Sequence, residues 1–441
     1  MQTLIIPLVP QLPSLLDSTA DRTAWVVTAT LLAGGVATPV MGRLGDMYGK
    51  RRMVLLSLGM LVAGSVLGAL SETVGPMIVA RVLQGLSAGV IPLGISVMRD
   101  TVPADRLASA TATMSASLGV GGALGLPAAA LLAENADWHL LFWVSAGLGV
   151  LATGLILWVV PESEVRSGGR FDLVGAIGLS VALLCLLLGI SQGAAWGWSS
   201  GLTLGSFAVS AVVLVVWGFW EVRVERPLVD LRTTVRRQVL LTNIASVAFG
   251  FAMFAMSLVL PQLLQLPTET GYGLGHGMFV VGLVMAPSGL VMMAMAPVSA
   301  RISRAYGPRT TLMAGAVVVA CGYGLTAVLM SSVWHLVLAS SVIGAGIGLA
   351  YGAMPALIMD AVPASETGSA NSLNTLMRSI GTSVSSAVAG VVLAQMTVSL
   401  GGEPVPSQEG FRLVLGVAAG AAVVALLIAL FLPKRRASVL G

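Results

Sequence analysis

Long runs of apolar residues alternate with short polar segments along the whole chain, and this pattern predicts a polytopic membrane protein. Because backbone N–H and C=O groups find no water partner in hydrocarbon, we expect each spanning segment to be a helix. Fourteen apolar segments can be delimited, at about 1–16, 25–41, 53–70, 75–98, 106–133, 138–160, 171–194, 201–221, 238–266, 272–300, 310–330, 333–359, 366–396 and 410–432.

The first segment is short for a span. At 1.5 Å per residue it reaches only about 24 Å, whereas a span needs about 20 residues. It also carries prolines at positions 7, 10 and 13. We therefore predict a truncated first span, with the native chain beginning several residues upstream or the start codon misplaced.

Charge is scarce and unevenly placed. The chain is 56% hydrophobic and 10% charged, against about 25% charge in a soluble domain. When residues 42–53, taken as a loop, are placed in the cytoplasm, nineteen of the 23 Lys and Arg residues fall on that side. Arg22 and Arg412 lie outside, and Arg81 and Arg378 lie inside spans. The positive-inside rule therefore predicts a multi-pass protein of the cytoplasmic (inner) membrane with both termini in the cytoplasm.

Several classes of function are excluded. Cys185 and Cys321 lie inside apolar runs, which favours packing over a disulfide. The sequence has no aromatic-interleaved basic patch, no G-x-x-x-x-G-K-[ST] loop and no nucleophile–base or metal-ligand set. We expect no nucleic-acid partner, no ATP hydrolysis, no metal, no cofactor and no enzyme activity.

Two stretches occur twice at nearly the same spacing. Six residues around position 43 recur 258 residues later: Pro39, Val40, Arg43, Tyr48, Gly49 and Arg51 match Pro297, Val298, Arg301, Tyr306, Gly307 and Arg309. DTVPADRLASA at 100–110 resembles DAVPASETGSA at 360–370, at a spacing of 260. Agreement of two separate stretches indicates a duplicated half.

About 65 residues, 171–235, have no counterpart and predict a two-helix insert. We therefore predict an all-α fold with two pseudo-symmetric six-helix bundles and fourteen spans in total. The expected domains are a first bundle at 1–160, a linker and insert at 161–235, and a second bundle with a cytoplasmic tail at 236–441.

The motif at residues 42–52, GRLGDMYGKRR, is close to the pattern G-x-L-x-D-R-x-G-R-R, and the chain resembles the major facilitator superfamily. Further matches indicate its fourteen-span drug:proton antiporter branch: RVLQGLSAG from position 81, SLGVGGALGLPAAALL from 117, FDLVGAIGL from 171 and ERPLVDLR from 225. The resemblance covers essentially the whole chain. Met47 replaces the usual arginine, and Leu126 separates Gly125 from Pro127.

The resemblance implies a latch that closes the cytoplasmic side. Asp46 would accept hydrogen bonds from a helix start near residues 366–369 and complement its dipole, and Asp100 would hold Arg43 or Lys50. The set expected in the latch is Gly42, Arg43, Asp46, Gly49, Lys50, Arg51 and Asp100. The alternative is a solvated, positive-inside loop.

Other candidates lie within the spans. An arginine in mid-membrane costs about 2.5–3.5 kcal/mol on insertion scales, so each should face a cavity or a partner. We therefore expect a role in coupling or substrate binding for two groups: Arg81 with Gln84, and Arg378 with Asn371 and Asn374. Arg81 has an alternative role as an outward-pointing anchor.

Two groups of apolar and small residues complete the candidates. By resemblance the antiporter-motif helix carries Gly121, Gly122, Gly125 and Pro127, of which Gly121 and Gly125 are spaced for close helix contact. A lipophilic lining is expected from Met253, Met256, Met285 and Met292, with lipid-facing packing as the alternative.

Coupling is the open question. No Asp or Glu lies centrally in a span, and aligning the branch's first-helix pattern puts Met1 where its acid would be. Proton coupling would then use Asp17, Asp100 or His276 at a vestibule, or another driving force would apply.

We predict a secondary transporter, working as a monomer in the bilayer, that exports a lipophilic, cationic or neutral small molecule such as a drug by alternating access. The alternatives are export of one endogenous metabolite or self-made antibiotic, and a membrane sensor or scaffold on the same fold.

Overall fold

Long helices carry the apolar segments, as internal hydrogen bonding in hydrocarbon requires. The computed structural model describes residues 5, 8, 11–163, 165–401 and 403–433. Within these ranges thirteen helices are long and apolar enough to cross a membrane. They are α1 (Ala20–Tyr48), α2 (Lys50–Ala69), α3 (Val74–Thr101), α4 (Ala104–Asn135), α5 (His139–Val159), α6 (Leu173–Trp196), α7 (Gly201–Arg223), α8 (Arg237–Gln265), α9 (Met278–Tyr306), α10 (Pro308–Val328), α11 (Val333–Met359), α12 (Thr367–Gln395) and α13 (Gln408–Leu430).

The remaining elements are short. A 3₁₀ turn, Ser87–Gly89, interrupts α3, and a helical turn, Leu231–Thr234, follows α7. Strands Thr397–Leu400 and Glu403–Pro406 form an antiparallel hairpin between α12 and α13, with Val398 opposite Val405. Much of the predicted first span lies outside the described residues, but a helical turn, Leu12–Leu15, is described there.

The predicted loop at residues 42–53 is wrong. α1 continues to Tyr48 and α2 starts at Lys50, so Gly49 alone separates them. Gly49 has φ +116°, which strains any residue with a side chain. The prediction failed because it ended each helix where the apolar residues stop and the first charged residues begin. At the membrane surface, however, a helix can continue through charged residues. The charges of the motif therefore project from two helix ends in fixed directions.

The second copy of the motif folds in the same way. α9 ends at Tyr306, Gly307 has φ +88° and α10 begins at once. Arg51 donates from Nη2 to the Leu157 carbonyl at the end of α5 (2.7 Å), and Arg309 donates to the Ala429 and Leu430 carbonyls at the end of α13 (3.1 and 2.8 Å). Each arginine thus satisfies free carbonyls at a helix C-terminus of its own half. The predicted pseudo-symmetry is confirmed.

The two halves meet along two seams. At one seam α4 packs against α9, where a Cβ on Gly289 would overlap the Gly119 carbonyl and a Cβ on Gly282 would lie 2.7 Å from Pro127 Cα. At the other seam α1 packs against α12. The two-helix insert, α6 and α7, packs at this second seam, since an apolar cluster joins Leu179 and Leu183 of α6 to α1 and α12.

Successive helices alternate in direction, so α1, α3, α5, α7, α9, α11 and α13 end at one membrane surface. This surface carries Lys50, Arg51, Arg99 and Arg304, and we call it the basic face. The other surface is the opposite face.

Candidate functional site

The seam between α1 and α12 is closed at the basic face by direct backbone approach. A Cβ on Gly42 would overlap Ser372 Oγ and lie 2.7 Å from the Gly368 carbonyl oxygen. A Cβ on Gly368 would in turn lie 2.9 Å from the Gly42 carbonyl oxygen and 2.7 Å from Asp46 Oδ1. Only residues without a side chain permit two helices to approach this closely.

Asp46 joins the two halves at this point. Its Oδ1 accepts a hydrogen bond from the Gly368 N–H (2.9 Å) and its Oδ2 accepts one from the Ser369 N–H (2.7 Å). These amides belong to the first turn of α12, where N–H groups have no partner within the helix and the helix dipole favours a negative charge. Asp46 is fully buried. A carboxylate of the first half thus caps a helix of the second half.

Lys50, rather than Arg43, is the partner of Asp100. Lys50 Nζ lies 2.6 Å from Asp100 Oδ2, and both side chains are almost completely buried. The same carboxylate oxygen accepts a hydrogen bond from Ser163 Oγ. Nζ also lies 3.4 Å from the Ala364 carbonyl oxygen of the second half. The ion pair therefore stands beside the Asp46 contact and reaches across the seam.

Arg99 donates four hydrogen bonds across the seam but was not among the predicted site residues. Its Nη2 donates to the Met359 and Val362 carbonyls (2.8 and 2.9 Å). Its Nη1 donates to Thr367 Oγ1 (2.6 Å) and to the Pro363 carbonyl (3.3 Å). A guanidinium group on the carbonyls at the end of α11 also complements that helix dipole.

At the seam between α4 and α9, Arg304 donates to the Asp105 carbonyl oxygen (3.1 Å) near the start of α4. Arg304 takes the place of Asp46 in the second copy of the motif, 258 residues along. The two seams are thus closed at the basic face by opposite charges. The second copy of the motif therefore carries the opposite charge at the position that contacts the other half.

Arg43 links the insert to the same region. It is buried and interacts electrostatically with Glu221 of α7 and with Glu366 just before α12. Glu221 is 2% exposed and accepts a hydrogen bond from the Leu228 N–H (3.1 Å), while its Oε1 has no hydrogen-bond partner among the described residues. The sequence had placed Glu221 only among acids near helix ends. We refer to the contacts of Gly42, Arg43, Asp46, Lys50, Arg99, Asp100 and Arg304 as the gate.

Gly49 and Arg51 were predicted in the latch but lie outside these contacts between the halves. Gly49 separates α1 from α2, and Arg51 binds the end of α5 within its own half.

Arg81 is part of a polar network within the first half. It is 2% exposed and donates from Nε to the Val26 carbonyl (3.1 Å) and from Nη1 to Gln84 Oε1 (2.5 Å). Gln84 Nε2 continues the network to Ser65 Oγ (3.0 Å), which lies 3.0 Å from Ser145 Oγ. Four helices, α1, α2, α3 and α5, therefore meet around Arg81, and this burial excludes the outward-pointing anchor.

Arg378 is also buried, but its surroundings differ. It makes a hydrogen bond from Nη2 to Thr375 Oγ1 (3.1 Å), and its Cζ lies 4.6 Å from the centroid of the Tyr351 ring, a cation–π contact. Asn371 and Asn374, the polar residues predicted to act with Arg378, make their hydrogen bonds to other groups. Asn374 donates to Asn243 Oδ1 (2.9 Å) and Ser246 Oγ (2.7 Å) of α8, and Asn371 donates to the carbonyl of Thr367 (3.0 Å) in its own helix.

A cavity of about 290 Å³ lies between α4 of the first half and α8, α9 and α11 of the second. It extends from mid-membrane toward the opposite face. Met253, Met256, Met285 and Met292 all line it, together with Gly122. Among the described residues that line it, the polar side chains are neutral: Ser257, Gln262, Gln265 and Ser288. The four methionines of the expected lipophilic lining therefore meet at one cavity between the halves.

Within the described part of the chain, the predicted close helix contact at Gly121 is wrong. Gly121 is exposed, and a Cβ there would meet no atom of the described residues within 4 Å. Gly119 and Pro127 make the contacts with α9 instead. Two residues along a helix rotate the side-chain direction by about 200°, which turns Gly121 away from the face that Gly119 presents. Gly125 is half-buried on the same helix.

Two pseudo-symmetric helical halves, joined by a closed gate on one face and enclosing a cavity between them, are the architecture of a membrane transporter. A model of the Major Facilitator Superfamily matches residues 1–386. The chain therefore belongs to the major facilitator superfamily, whose members are transporters and not enzymes.

The chain is also similar to named proteins. It is 24% identical over 381 residues to "Multidrug resistance protein 3" of Bacillus subtilis (strain 168), covering 84% of this chain and 72% of that protein. It is 29% identical over 397 residues to the "Tetracenomycin C resistance and export protein" of Streptomyces glaucescens, covering 84% and 68%. The crystal structure of the human organic anion transporter MFSD10 (TETRAN) superposes with a TM-score of 0.67 at 15% identity, covering 97% and 95%, which shows the shared fold.

Proposed function

We propose that this protein exports lipophilic drugs or antibiotics across the bacterial cytoplasmic membrane by alternating access. The observation that carries the proposal is the pairing of a gate closed at the basic face with a methionine-lined cavity between the halves. Methionine side chains adapt to apolar molecules of varied shape. Relatives named for multidrug resistance and for tetracenomycin C export support the choice of cargo.

The same proposal assigns the basic face to the cytoplasm, following the positive-inside rule, and both termini lie there. The protein works as a monomer of two rocking bundles, 1–160 and 236–441, with the linker and insert at 161–235. The gate opens when substrate enters from the cytoplasm, and it closes when substrate leaves by the opposite face.

Drug susceptibility in an efflux-deficient bacterial host tests this function. Expression should raise the inhibitory concentration of several lipophilic compounds, and inside-out vesicles should accumulate them. Loss of substrate uptake when the pH gradient is dissipated would support protons as the coupling ion. Uptake at the same rate with and without the pH gradient would exclude them. No change in susceptibility to any compound, with protein present in the membrane, would contradict the proposed export.

We expect Arg81→Ala to reduce export to the level of vesicles without the protein. The change leaves Gln84 Oε1 buried without the Arg81 donor, at about 1–3 kcal/mol, removes the hydrogen bond to the Val26 carbonyl of α1, and disrupts the junction of four helices. Arg81→Lys should retain part of the activity, because it keeps the charge but not the forked geometry. The measurement is uptake normalised to membrane-inserted protein, and full activity in Arg81→Ala would remove Arg81 from the transport mechanism.

A further inference from the structure

We infer that the substrate is a lipophilic anion and that the guanidinium group of Arg378 is the counter-charge for its acidic group. This inference rests on the proposed export function and narrows its substrate. It reverses the charge expected from the sequence, where a cationic or neutral cargo was predicted.

The interior of the protein is positively charged. Arg81 and Arg378 both lie deep in the spans and are at most 6% exposed. The hydrogen bonds of both arginines go to neutral oxygens, and no carboxylate of the described residues acts on either side chain. Every Asp and Glu of the described residues lies in a loop or near a helix end. Two uncompensated cations in a low dielectric attract an anion and repel a cation.

Arg378 has unused capacity to bind an anion. A guanidinium group carries five N–H donors, and the described structure uses one of them in a hydrogen bond, to Thr375 Oγ1. The Tyr351 ring partly shields the charge but provides no acceptor of opposite charge. A planar fork of this kind binds a carboxylate or sulfonate through two parallel hydrogen bonds.

Arg378 lies one layer of side chains behind the wall of the cavity. The Tyr351 ring beneath the guanidinium group donates a hydrogen bond from its hydroxyl to Met253 Sδ (3.3 Å). Met253 itself lines the cavity. A rotation of the flexible Met253 side chain would open the cavity toward Tyr351 and the Arg378 guanidinium group beside it. An aromatic or aliphatic body would then occupy the methionine-lined space while an acidic group reaches Arg378.

The wall of the cavity suits the apolar body of such a substrate. The described residues that line it include no charged side chain, so a cation bound there would find no compensating carboxylate in the wall. The amides of Gln262 and Gln265 offer N–H donors to further acceptor oxygens.

An anionic substrate would also explain how the protein could drive transport without an acidic residue in mid-membrane. The inside-negative membrane potential drives an anion outward, so export of a net negative charge needs no proton-carrying carboxylate. An intramembrane carboxylate would be required only if a proton had to be exchanged for the substrate. The same interior charge that binds the anion therefore fits transport driven by the potential.

The test uses three matched fluorescent probes: pyrenebutyrate, its neutral methyl ester, and the pyrenebutyl trimethylammonium cation. Binding of each is measured on the purified full-length protein. We expect pyrenebutyrate to bind at least about tenfold more tightly than the cation. Arg378→Gln should reduce pyrenebutyrate affinity by about tenfold or more and leave the ester unchanged, whereas Arg378→Lys should retain much of it.

Controls separate loss of charge from loss of fold. Unchanged ester binding shows that Arg378→Gln is folded, and Arg412→Gln removes an exposed arginine paired with Glu409 and should change nothing. In proteoliposomes, an imposed inside-negative potential should accelerate pyrenebutyrate efflux in the wild type and in Arg412→Gln but not in Arg378→Gln.

Tighter binding of the cation, or equal pyrenebutyrate affinity in wild type and Arg378→Gln, would overturn the inference. Failure to bind pyrenebutyrate in a protein that still confers drug resistance would also overturn it, and the export function would stand. Absence of resistance together with absence of binding would remove the export function itself.

Discussion

Asp46→Asn is expected to lower export by at least about tenfold while leaving the amount of protein in the membrane unchanged. The carboxylate accepts one hydrogen bond on each oxygen from the first turn of α12. An asparagine offers one acceptor oxygen and no charge, so one buried N–H loses its partner and the helix dipole loses its complement. The change weakens the closed gate by about 2 kcal/mol, which is roughly thirtyfold in population.

Accessibility of the gate checks this prediction. Ser372 is fully buried against Gly42, so a cysteine placed there in a protein lacking Cys185 and Cys321 reports opening of the basic face. A membrane-impermeant maleimide in inside-out vesicles should label it faster in Asp46→Asn. Asp105→Asn is the matched control, because the Asp105 side chain is 75% exposed. Normal export and unchanged labelling in Asp46→Asn would exclude the gate role.

Gly42→Val is expected to prevent closure of the basic face and to abolish export. The Gly368 backbone cannot move aside, and even the first carbon of the new side chain would lie 2.7 Å from its carbonyl oxygen. Overpacking of this kind costs about 1–3 kcal/mol in a rigid core. Here the cost falls on the closed state alone, because α1 and α12 separate when the gate opens.

Gly121→Val is the matched control, since a Cβ at Gly121 meets no atom of the residues that the structure describes within 4 Å. Both variants place the same side chain in a long helix. We expect the Gly121 variant to export at close to the wild-type rate and the Gly42 variant to elute as a folded, monodisperse but inactive protein. Equal activity of the two variants would show that the contact between α1 and α12 is not part of the transport cycle.

The sequence predicted the fold well because each of its signals reports a strong physical constraint. Hydrocarbon enforces helices, and duplicated residues around Arg43 and Asp100 mark equivalent helix ends in the two halves. Boundaries were less accurate. The charges of Arg43 and Lys50 were interpreted as the sign of a loop. Both residues lie in helices that reach the membrane surface, and only Gly49 interrupts the helical conformation between them.

The gate was harder to predict than the fold. Asp46 could be assigned a partner only through family resemblance, and the structure places it at the start of α12 as that resemblance implied. Arg99 was missed because its partners are mostly backbone carbonyls, which carry no sequence signal. Glu221 was missed because its environment depends on how the insert packs against α1. Gly121 was misjudged because spacing alone does not specify which face of a helix meets its neighbour.

Distances between pseudo-equivalent positions on the two faces test the central claim of alternating access most directly. Tyr48 and Tyr306 are exposed at the basic face, and Leu70 and Val328, also 258 residues apart, are exposed at the opposite face. Spin labels at each pair, in the protein without native cysteines, give both distances by pulsed electron resonance. Compared with the wild type, Asp46→Asn should lengthen the first distance and shorten the second. Distances that stay fixed, or that change in the same sense on both faces, would contradict two halves rocking about a central cavity.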